Sequence, residues 1–291
     1  MAKGRELKGR IKSVENTRKI TKTMEMVATS KMKRAHDRVV AARPYAHALT
    51  DVISSLYSPE LAMRFPLLRQ PVARPKRAAV LMITGNRGLA GAFNSNIIKE
   101  ARNLIAKLEG DGTEVVVHAV GKKGLGYLRY VGRTPASSRI DIGDAPTAKT
   151  AAELVDALMQ DFAVGNLDAV YVVYARFVSA LSTPATSDRV LPVTAPERKQ
   201  GKGPTPDYLL YPSAEAILEV LLPAYVRNAV YRALVETIAG FYSSQRAAMK
   251  NATDNAGEML NILRRTYNRA RQAQITQEIA EIVGGSASLE G

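Results

Sequence analysis

The chain has 291 residues, no cysteine and a formal net charge of +14. The lack of cysteine excludes disulfides, thiolate metal sites and cysteine nucleophiles. No run approaches the roughly 18–20 apolar residues of a membrane-spanning helix, and the basic N-terminus lacks the apolar segment of a secretory signal. We therefore expect a folded protein in a reducing, cytosol-facing location.

Positive charge is concentrated in residues 1–43, where thirteen Lys and Arg side chains face only four Asp and Glu. Such a stripe suits nucleic acid, an anionic membrane face or an acidic protein surface. Packing residues such as Met24, Val27 and Met32 interrupt the basic tract and favour a helix that faces protein or solvent. A coiled-coil nucleic-acid-binding protein is the alternative that charge alone suggests.

Residues 3–57 predict one long helix. Near the N-terminus Leu7, Ile11 and Val14 follow helical spacing, and Ile20, Met24 and Val27 resume it with a phase shift. Pro44 is expected to kink the helix or weaken its hydrogen bonding. From Met32 onward the apolar positions alternate by three and four residues, which is typical of a coiled-coil seam: Met32, Ala35, Val39, Ala42, Ala46, Leu49, Ile53 and Leu56.

The middle of the chain alternates strands and helices, which predicts an α/β layer with a parallel core. Strands are predicted at 78–84, 114–120 and 168–174, with a final strand pair within 178–192. Helices are predicted at 94–108, 151–162 and briefly after residue 121. An exposed basic loop is expected at 197–206.

The C-terminal third predicts a second long helix, from residue 214 to 283. About 70 helical residues extend roughly 105 Å at about 1.5 Å per residue, whereas an average globular helix has about a dozen residues. Its seam is predicted at Val235, Ile238, Tyr242, Gln245, Met249, Ala252, Ala256, Met259, Leu263, Thr266 and Ala270.

Two long helices that leave one α/β domain are expected to pair antiparallel. In that arrangement residue 57 lies beside about 210, the N-terminus beside about 265, and the last twenty residues extend beyond their partner. That overhang still carries Ile275, Ile279, Ile282 and Val283 at helical spacing. An apolar stripe in water is unfavourable by about 0.8 kcal/mol per exposed methylene, so other chains are expected to cover it.

We find no catalytic, metal or cofactor constellation in the sequence. The turn from Gly85 to Gly91 follows a strand, but its glycine spacing matches neither the dinucleotide fingerprint nor the P-loop. A tight turn with close helix–sheet packing is the better interpretation. His36, His47 and His118 have no metal-ligand spacing, and no close carboxylate pair suits acid–base chemistry.

Three segments carry a family resemblance. Residues 14–32 (VENTRKITKTMEMVATSKM) followed by ARPYA at 42–46 resemble the start of rotary ATP synthase gamma subunits. Residues 247–285 resemble that family's C-terminal helix, with the Ile275 to Glu278 segment (ITQE) fitting its signature. Residues 84–94 (TGNRGLAGAFN) are similar to the strand–turn–helix of its Rossmann-like domain. The resemblance covers the whole chain.

The resemblance implies a non-catalytic rotor subunit without a cofactor. Its coil would turn inside a ring of three alpha and three beta subunits, and its α/β foot would contact epsilon and the membrane c ring. Beta-subunit contacts are implied at Lys22, Met24, Arg34, Arg271, Gln272, Thr276 and Glu278. Contacts of the foot with the c ring or epsilon are implied at Asp207, Tyr208 and Tyr211.

The resulting fold class is α/β: a long antiparallel coiled coil of the N- and C-terminal helices plus a Rossmann-like α/β domain. The expected boundaries are 1–57 for the N-terminal helix, 75–195 for the α/β foot and 208–286 for the C-terminal helix. The expected location is peripheral, at the cytoplasmic face of a bacterial cell membrane, with membrane contact only through the c ring and no nucleic acid bound.

Overall fold

The computed structural model describes residues 2–57, 59–69, 74–194 and 213–287. Its contacts divide the chain into two compact units. The terminal unit comprises residues 1–28 and 245–291, and the central unit comprises residues 29–244. The helices are α1 (Ala2–Leu56), α2 (Pro59–Arg64), α3 (Phe93–Gly110), α4 (Lys122–Tyr130), α5 (Ala148–Ala163) and α6 (Ala214–Ala287). The strands are β1 (Arg77–Ile83), β2 (Glu114–Val120), β3 (Ser137–Arg139), β4 (Ala169–Ala175) and β5 (Ala185–Leu191).

The central unit is built on a five-stranded sheet in the order β3-β2-β1-β4-β5. The first four strands are parallel and β5 pairs antiparallel with β4. β1 lies in the middle and is buried from Ala78 to Ile83. A parallel strand covered on both faces needs a continuous apolar run rather than an alternating one. The predicted parallel α/β core is confirmed.

The strand pair predicted within 178–192 is wrong, because the structure has the single strand β5 there. The preceding residues form a turn, in which the Ser179 hydroxyl accepts hydrogen bonds from the backbone amides of Leu181 and Ser182. Serine hydroxyls compete with sheet pairing in this way. The sequence also gave no signal for β3, whose three residues are polar and which is held by its pairing with β2.

The core of the central unit joins the sheet to both long helices. Ala79, Leu81 and Ile83 alternate onto one face of β1 and pack in one cluster with apolar side chains of α1, α5 and α6. α5 begins with a capping box in which the side chains and backbone amides of Thr147 and Thr150 bond reciprocally. The cluster includes Ile53, Leu56, Val155, Leu158, Phe162, Leu218, Leu222 and Leu234.

The seam of α1 keeps one register along its described length. The predicted positions from Ala35 to Leu56 are buried except Ala42, which is half-buried, and α1 continues through Pro44 as one helix. The predicted phase shift is wrong, because Ile20 and Val27 are exposed while Thr21 and Ala28 are buried. The buried or half-buried positions alternate by four and three, with only exposed Arg18 interrupting them: Leu7, Ile11, Val14, Thr21, Glu25, Ala28, Met32, Ala35, Val39, Ala42, Ala46, Leu49, Ile53 and Leu56.

We predict that Gly121→Ala prevents stable folding of the central unit. Gly121 has φ 95°, and a Cβ added there would lie 2.1 Å from the carbonyl oxygen of Thr84, the residue that follows β1. The matched control is Gly112→Ala, which has φ 84° but no atom within 4 Å of the added Cβ. The control isolates backbone strain, for which we expect a loss of about 1 kcal/mol. Urea unfolding followed by circular dichroism measures both, and equal losses would contradict the close approach of Gly121 to β1.

We also predict that the protein loses stability as the pH falls below about 6.5. Burial lowers the pKa of His118, while the Asp161 charge opposes this shift. Because the folded-state pKa lies below the unfolded value, the stabilising contribution is complete above the unfolded pKa and is lost as the pH falls. Urea unfolding between pH 5 and 8 should show a smaller pH dependence for His118→Gln than for the wild type. The exposed His47→Gln is the control, and an unchanged dependence in His118→Gln would refute the assignment.

Candidate partner-contacting surface

The terminal unit is an antiparallel helix pair formed by the start of α1 and the end of α6. The Thr253 hydroxyl donates to the Thr21 hydroxyl at 2.8 Å, and both side chains are buried. Farther along α6, the Arg264 Nη2 lies 2.6 Å from the Glu15 Oε1. Later residues of α6 therefore contact earlier residues of α1, which confirms the predicted antiparallel pairing.

The seam of α6 in this unit differs from the prediction. Met259 is 52% exposed and Leu260 is 3% exposed, and Thr253 is buried one position after the predicted Ala252. The prediction placed Ala252, Met259 and Thr266 in the seam, each one position before the observed Thr253, Leu260 and Tyr267. Thr253 fits at the seam because its hydroxyl bonds across the pair to Thr21. The observed positions again alternate by four and three: Met249, Thr253, Ala256, Leu260, Leu263, Tyr267, Ala270 and Gln274.

The end of α6 exposes an apolar stripe. Both helices advance about 1.5 Å per residue. Because Glu15 lies opposite Arg264, the first residue of α1, Ala2, lies opposite about residue 275 of α6, and α6 has no helical partner beyond that point within the described residues. The overhang is therefore shorter than predicted. The four apolar side chains predicted there are all exposed: Ile275, Ile279, Ile282 and Val283. A stripe of this kind marks a surface for another molecule, and we call it the apolar tip.

The outer face of α1 in this unit combines apolar and basic side chains. Ile20, Met26 and Val27 are each more than half exposed. Some charges pair within the unit, as between Glu6 and Arg10 at 2.8 Å. The remaining basic side chains leave an exposed positive surface beside the apolar one: Arg5, Lys8, Lys12, Arg18 and Lys19.

The candidate contact residues on α1 occupy different environments. Lys22 is exposed and its Nζ lies 3.1 Å from the Glu25 Oε2. Met24 is half-buried near the seam. Arg34 belongs to the central unit, where it is exposed and donates to the Ser30 hydroxyl at 3.4 Å. Lys22 and Arg34 are accessible to a partner, whereas Met24 is accessible only in part.

The candidate contact residues on α6 are exposed together beside the apolar tip. Arg271 and Gln272 face solvent. The Thr276 hydroxyl donates to the Gln272 carbonyl at 3.0 Å, and the Glu278 Oε1 accepts from the Gln274 amide at 2.8 Å. The three foot candidates, Asp207, Tyr208 and Tyr211, lie outside the described residues.

The glycine-rich turn after β1 is filled by the protein's own atoms. A Cβ on Gly85 would lie 3.1 Å from both the Asn94 side chain and the Phe241 ring. Asn94 accepts from the Gly85 amide and donates to the Arg87 carbonyl, which closes the turn onto the start of α3. Gly85 therefore serves close packing, as the sequence predicts, whereas Gly91 has φ 56° and no atom within 4 Å of an added Cβ, so it serves the conformation of the turn.

A cavity of about 300 Å³ lies beside this turn in the central unit. Its polar wall is largely engaged already: the Thr84 hydroxyl donates to the Val120 carbonyl and accepts from the Gly124 amide. Within the described ranges, no group of His, Asp and Glu side chains could hold a metal ion, and no helix is long and apolar enough to cross a bilayer.

The comparisons with known proteins agree with this architecture. An ATP synthase family model matches residues 3–289. The chain is 66% identical over 291 residues to the ATP synthase gamma chain of Gemmatimonas aurantiaca, covering all of both chains. This chain belongs to the ATP synthase gamma-chain family. As a gamma chain it is a non-catalytic central-stalk subunit of an ATP synthase, and nothing in the comparisons favours a nucleic-acid-binding protein.

Solved structures share the gamma-chain fold at much lower identity. A chain of the Euglena gracilis mitochondrial ATP synthase, solved as OSCP/F1/c-ring, superposes with a TM-score of 0.69 at 21% identity, covering 99% of this chain and 95% of that one. A chain of the Tetrahymena thermophila mitochondrial ATP synthase, from its central stalk and c-ring, gives a TM-score of 0.61 at 25% identity, covering 80% and 99%. The predicted fold class is confirmed.

We predict that Leu260→Ala destabilises the terminal helix pair of this gamma chain, whereas Met259→Ala does not. Removing a buried leucine side chain costs about 2–5 kcal/mol, while truncating an exposed methionine changes stability by about 0.5 kcal/mol or less. Thermal unfolding followed by helical circular dichroism measures both variants. The reverse order of effects would restore the seam predicted from the sequence.

Proposed function

We propose that this chain is the rotating shaft of a bacterial proton-translocating ATP synthase. Proton flow turns the membrane c ring, the c ring turns the chain, and the asymmetric surface of the helix pair holds three catalytic beta subunits in different nucleotide-binding states. The direction reverses when ATP is hydrolysed. Membership of the gamma-chain family and the bacterial full-length relative support this role.

One observation carries the proposal: the apolar tip is exposed at the end of a helix pair whose seam positions are buried or half-buried, apart from Arg18. A tip of this kind needs a sleeve of other chains. We assign the sleeve to three alpha and three beta subunits around one gamma chain. Epsilon and the c ring are the partners assigned to the α/β foot, and the chain reaches the membrane only through the c ring, at the cytoplasmic face of the cell membrane.

We assign the beta-subunit contacts to two groups of side chains. Lys22, Met24 and Arg34 on α1 meet an acidic lever of the beta subunit, to which the exposed positive surface of α1 is complementary. The second group surrounds the upper end of α6 and consists of Arg271, Gln272, Thr276 and Glu278.

The chemistry of these surfaces suits rotation. A shaft that passes three equivalent subunits is trapped if it binds one of them tightly, because each desolvated ion pair adds a barrier to the next step. Exposed isoleucine, valine and methionine side chains offer non-directional contacts, which change little as the shaft turns. The mixture of apolar and singly charged groups keeps the rotational energy profile shallow.

Co-expression with the alpha and beta subunits of the same organism tests the proposal. We expect a complex with three alpha, three beta and one gamma chain by native mass spectrometry. A chain that purifies alone, or in another ratio, would refute the shaft assignment. A filter-binding assay with duplex DNA at physiological salt tests the alternative, and specific binding there would favour it.

We predict that Arg271→Glu lowers coupled turnover while the complex still assembles. Charge reversal places a like charge against an acidic beta-subunit loop, so rotation-linked ATPase activity should fall about tenfold, which corresponds to about 1.4 kcal/mol. Arg265→Glu is the matched control, because Arg265 is exposed six residues earlier and therefore lies on a different face of α6. Equal activity of the two variants would remove Arg271 from the contact set.

A further inference from the structure

One loop of the central unit is bonded directly to α1 and, through Lys31, to α6. The loop joins β3 to α5, and its Asp144 Oδ2 accepts from the Lys31 Nζ of α1 at 2.7 Å. The same Nζ lies 3.2 Å from the Tyr242 hydroxyl of α6 and 5.2 Å from the centre of the Tyr242 ring. The Arg38 Nη1 donates to the Asp144 carbonyl at 2.6 Å. We call these four residues the Asp144 latch.

The latch spans about two turns of α1, since Lys31 and Arg38 are seven residues apart and lie on one face. Lys31 holds the side chain of Asp144 and Arg38 holds its backbone. Two attachment points on one helix face resist both sliding of α1 along the loop and rotation of α1 about its own axis. One attachment point resists much less.

The loop itself is anchored to the middle of the sheet. The Asn86 amide group donates to the carbonyls of Ile140 and Ile142, both at 3.1 Å, and its oxygen accepts from the Lys122 amide. Asn86 follows β1, and Lys122 follows β2. A force on the sheet therefore reaches Asp144 through hydrogen bonds at the carboxyl ends of two central strands.

The charges of the latch stabilise one another. The hydrogen bond with Asp144 raises the pKa of Lys31, followed in effect by the bond with Tyr242. Burial acts to raise the pKa of Asp144, but the bonds with Lys31 and Tyr242 outweigh it and the pKa is lowered overall. Both groups are therefore charged throughout the neutral range.

α6 has further bonds to the sheet that do not pass through the latch. The buried Glu236 carboxylate accepts from the Phe177 amide at 3.0 Å, and the Thr237 hydroxyl accepts from the Ala175 amide. The Ser243 hydroxyl donates to the Ala180 carbonyl. Lys31 and Arg38 supply comparable long-range bonds for α1.

Apolar packing and hydrogen bonds respond differently to a twisting force. Apolar contacts are non-directional, so packed faces resist separation more than they resist slip. Hydrogen bonds weaken steeply when their angles change, so they resist rotation. The large apolar core holds α1 and α6 against the sheet, and a directional contact is needed to stop them turning there.

We propose that the Asp144 latch locks α1 and α6 against rotation relative to the α/β sheet when the shaft works under load. Lys31, Arg38 and Tyr242 are positioning residues, because they act through Asp144 and touch no nucleotide. The inference rests on the proposed function, since load exists only in a rotating complex.

The experiment uses the complete ATP synthase in sealed vesicles with Asp144→Ala in this chain. ATP hydrolysis is measured with an uncoupler, so that the shaft turns freely, and proton pumping per ATP is measured as the gradient builds. We expect hydrolysis without load to stay within about 20% of wild type. An ion pair with side chains 28% and 49% exposed changes an equilibrium by only a few-fold, so we expect pumping per ATP at the highest gradient to fall about threefold.

Asp141→Ala is the matched control on the same loop. The Asp141 carboxylate pairs with Arg139 at 2.7 Å, so the control removes an equally short ion pair that does not involve α1 or α6. Lys31→Met should reproduce the loss, Lys31→Arg should largely restore pumping, and the Lys31→Met, Asp144→Ala double variant should be no worse than the single variants.

The outcomes separate three cases. Loss of pumping under load in the Asp144 and Lys31 variants, with normal assembly and free hydrolysis, supports the latch. Equal pumping by wild type, Asp144→Ala and Asp141→Ala overturns it, and so does a fall in free hydrolysis that matches the fall in pumping. A wild-type chain that fails to assemble with alpha and beta subunits refutes the proposed function instead.

Discussion

The structure depends on burying one face of α1, the face that carries its seam, against neighbouring elements. Its alternating four-and-three spacing brings small or apolar side chains to a single face through much of the described helix. In the central unit that face is buried with α6 and α5 in the same cluster as β1. In the described part of the terminal unit this face pairs with α6 alone, and most of the remaining surface of the two helices is exposed.

A narrow pair must satisfy its polar groups locally. Thr21 and Thr253 do so by bonding across the seam, where both are buried. Each hydroxyl also bonds to a carbonyl of its own helix, Arg18 for Thr21 and Met249 for Thr253. A shift in register would therefore lose the bond between the helices, so this bond favours one register over its neighbours. A fixed register matters for a shaft, because its two helices must turn together.

Two kinds of contact therefore serve two purposes. Non-directional apolar groups, such as Ile20, Val27 and the apolar tip, lie on the outside of the terminal unit, where a partner must slide. Directional bonds, such as those of Asp144 and Glu236, lie in the central unit, where the helices must not slip. The terminal unit also has charge-assisted bonds, as between Arg264 and Glu15, but these join its own two helices and leave apolar side chains for the sliding contact.

The sequence determined both long helices, the parallel α/β core, the antiparallel direction of the pair and the exposed apolar tip, because each depends on the periodicity of local runs of residues. It also identified the family through long matching segments. It placed Ile20, Val27 and Met259 wrongly, because counting apolar residues treats any such residue as inward-facing, whereas Thr21 and Thr253 fill the seam by bonding to each other. The strand β3 and the Asp144 latch were decided only by the tertiary structure. Lys31 is 113 residues from Asp144 and 211 residues from Tyr242 in the sequence. Their contact depends on how the sheet brings distant segments together, which no local sequence pattern records.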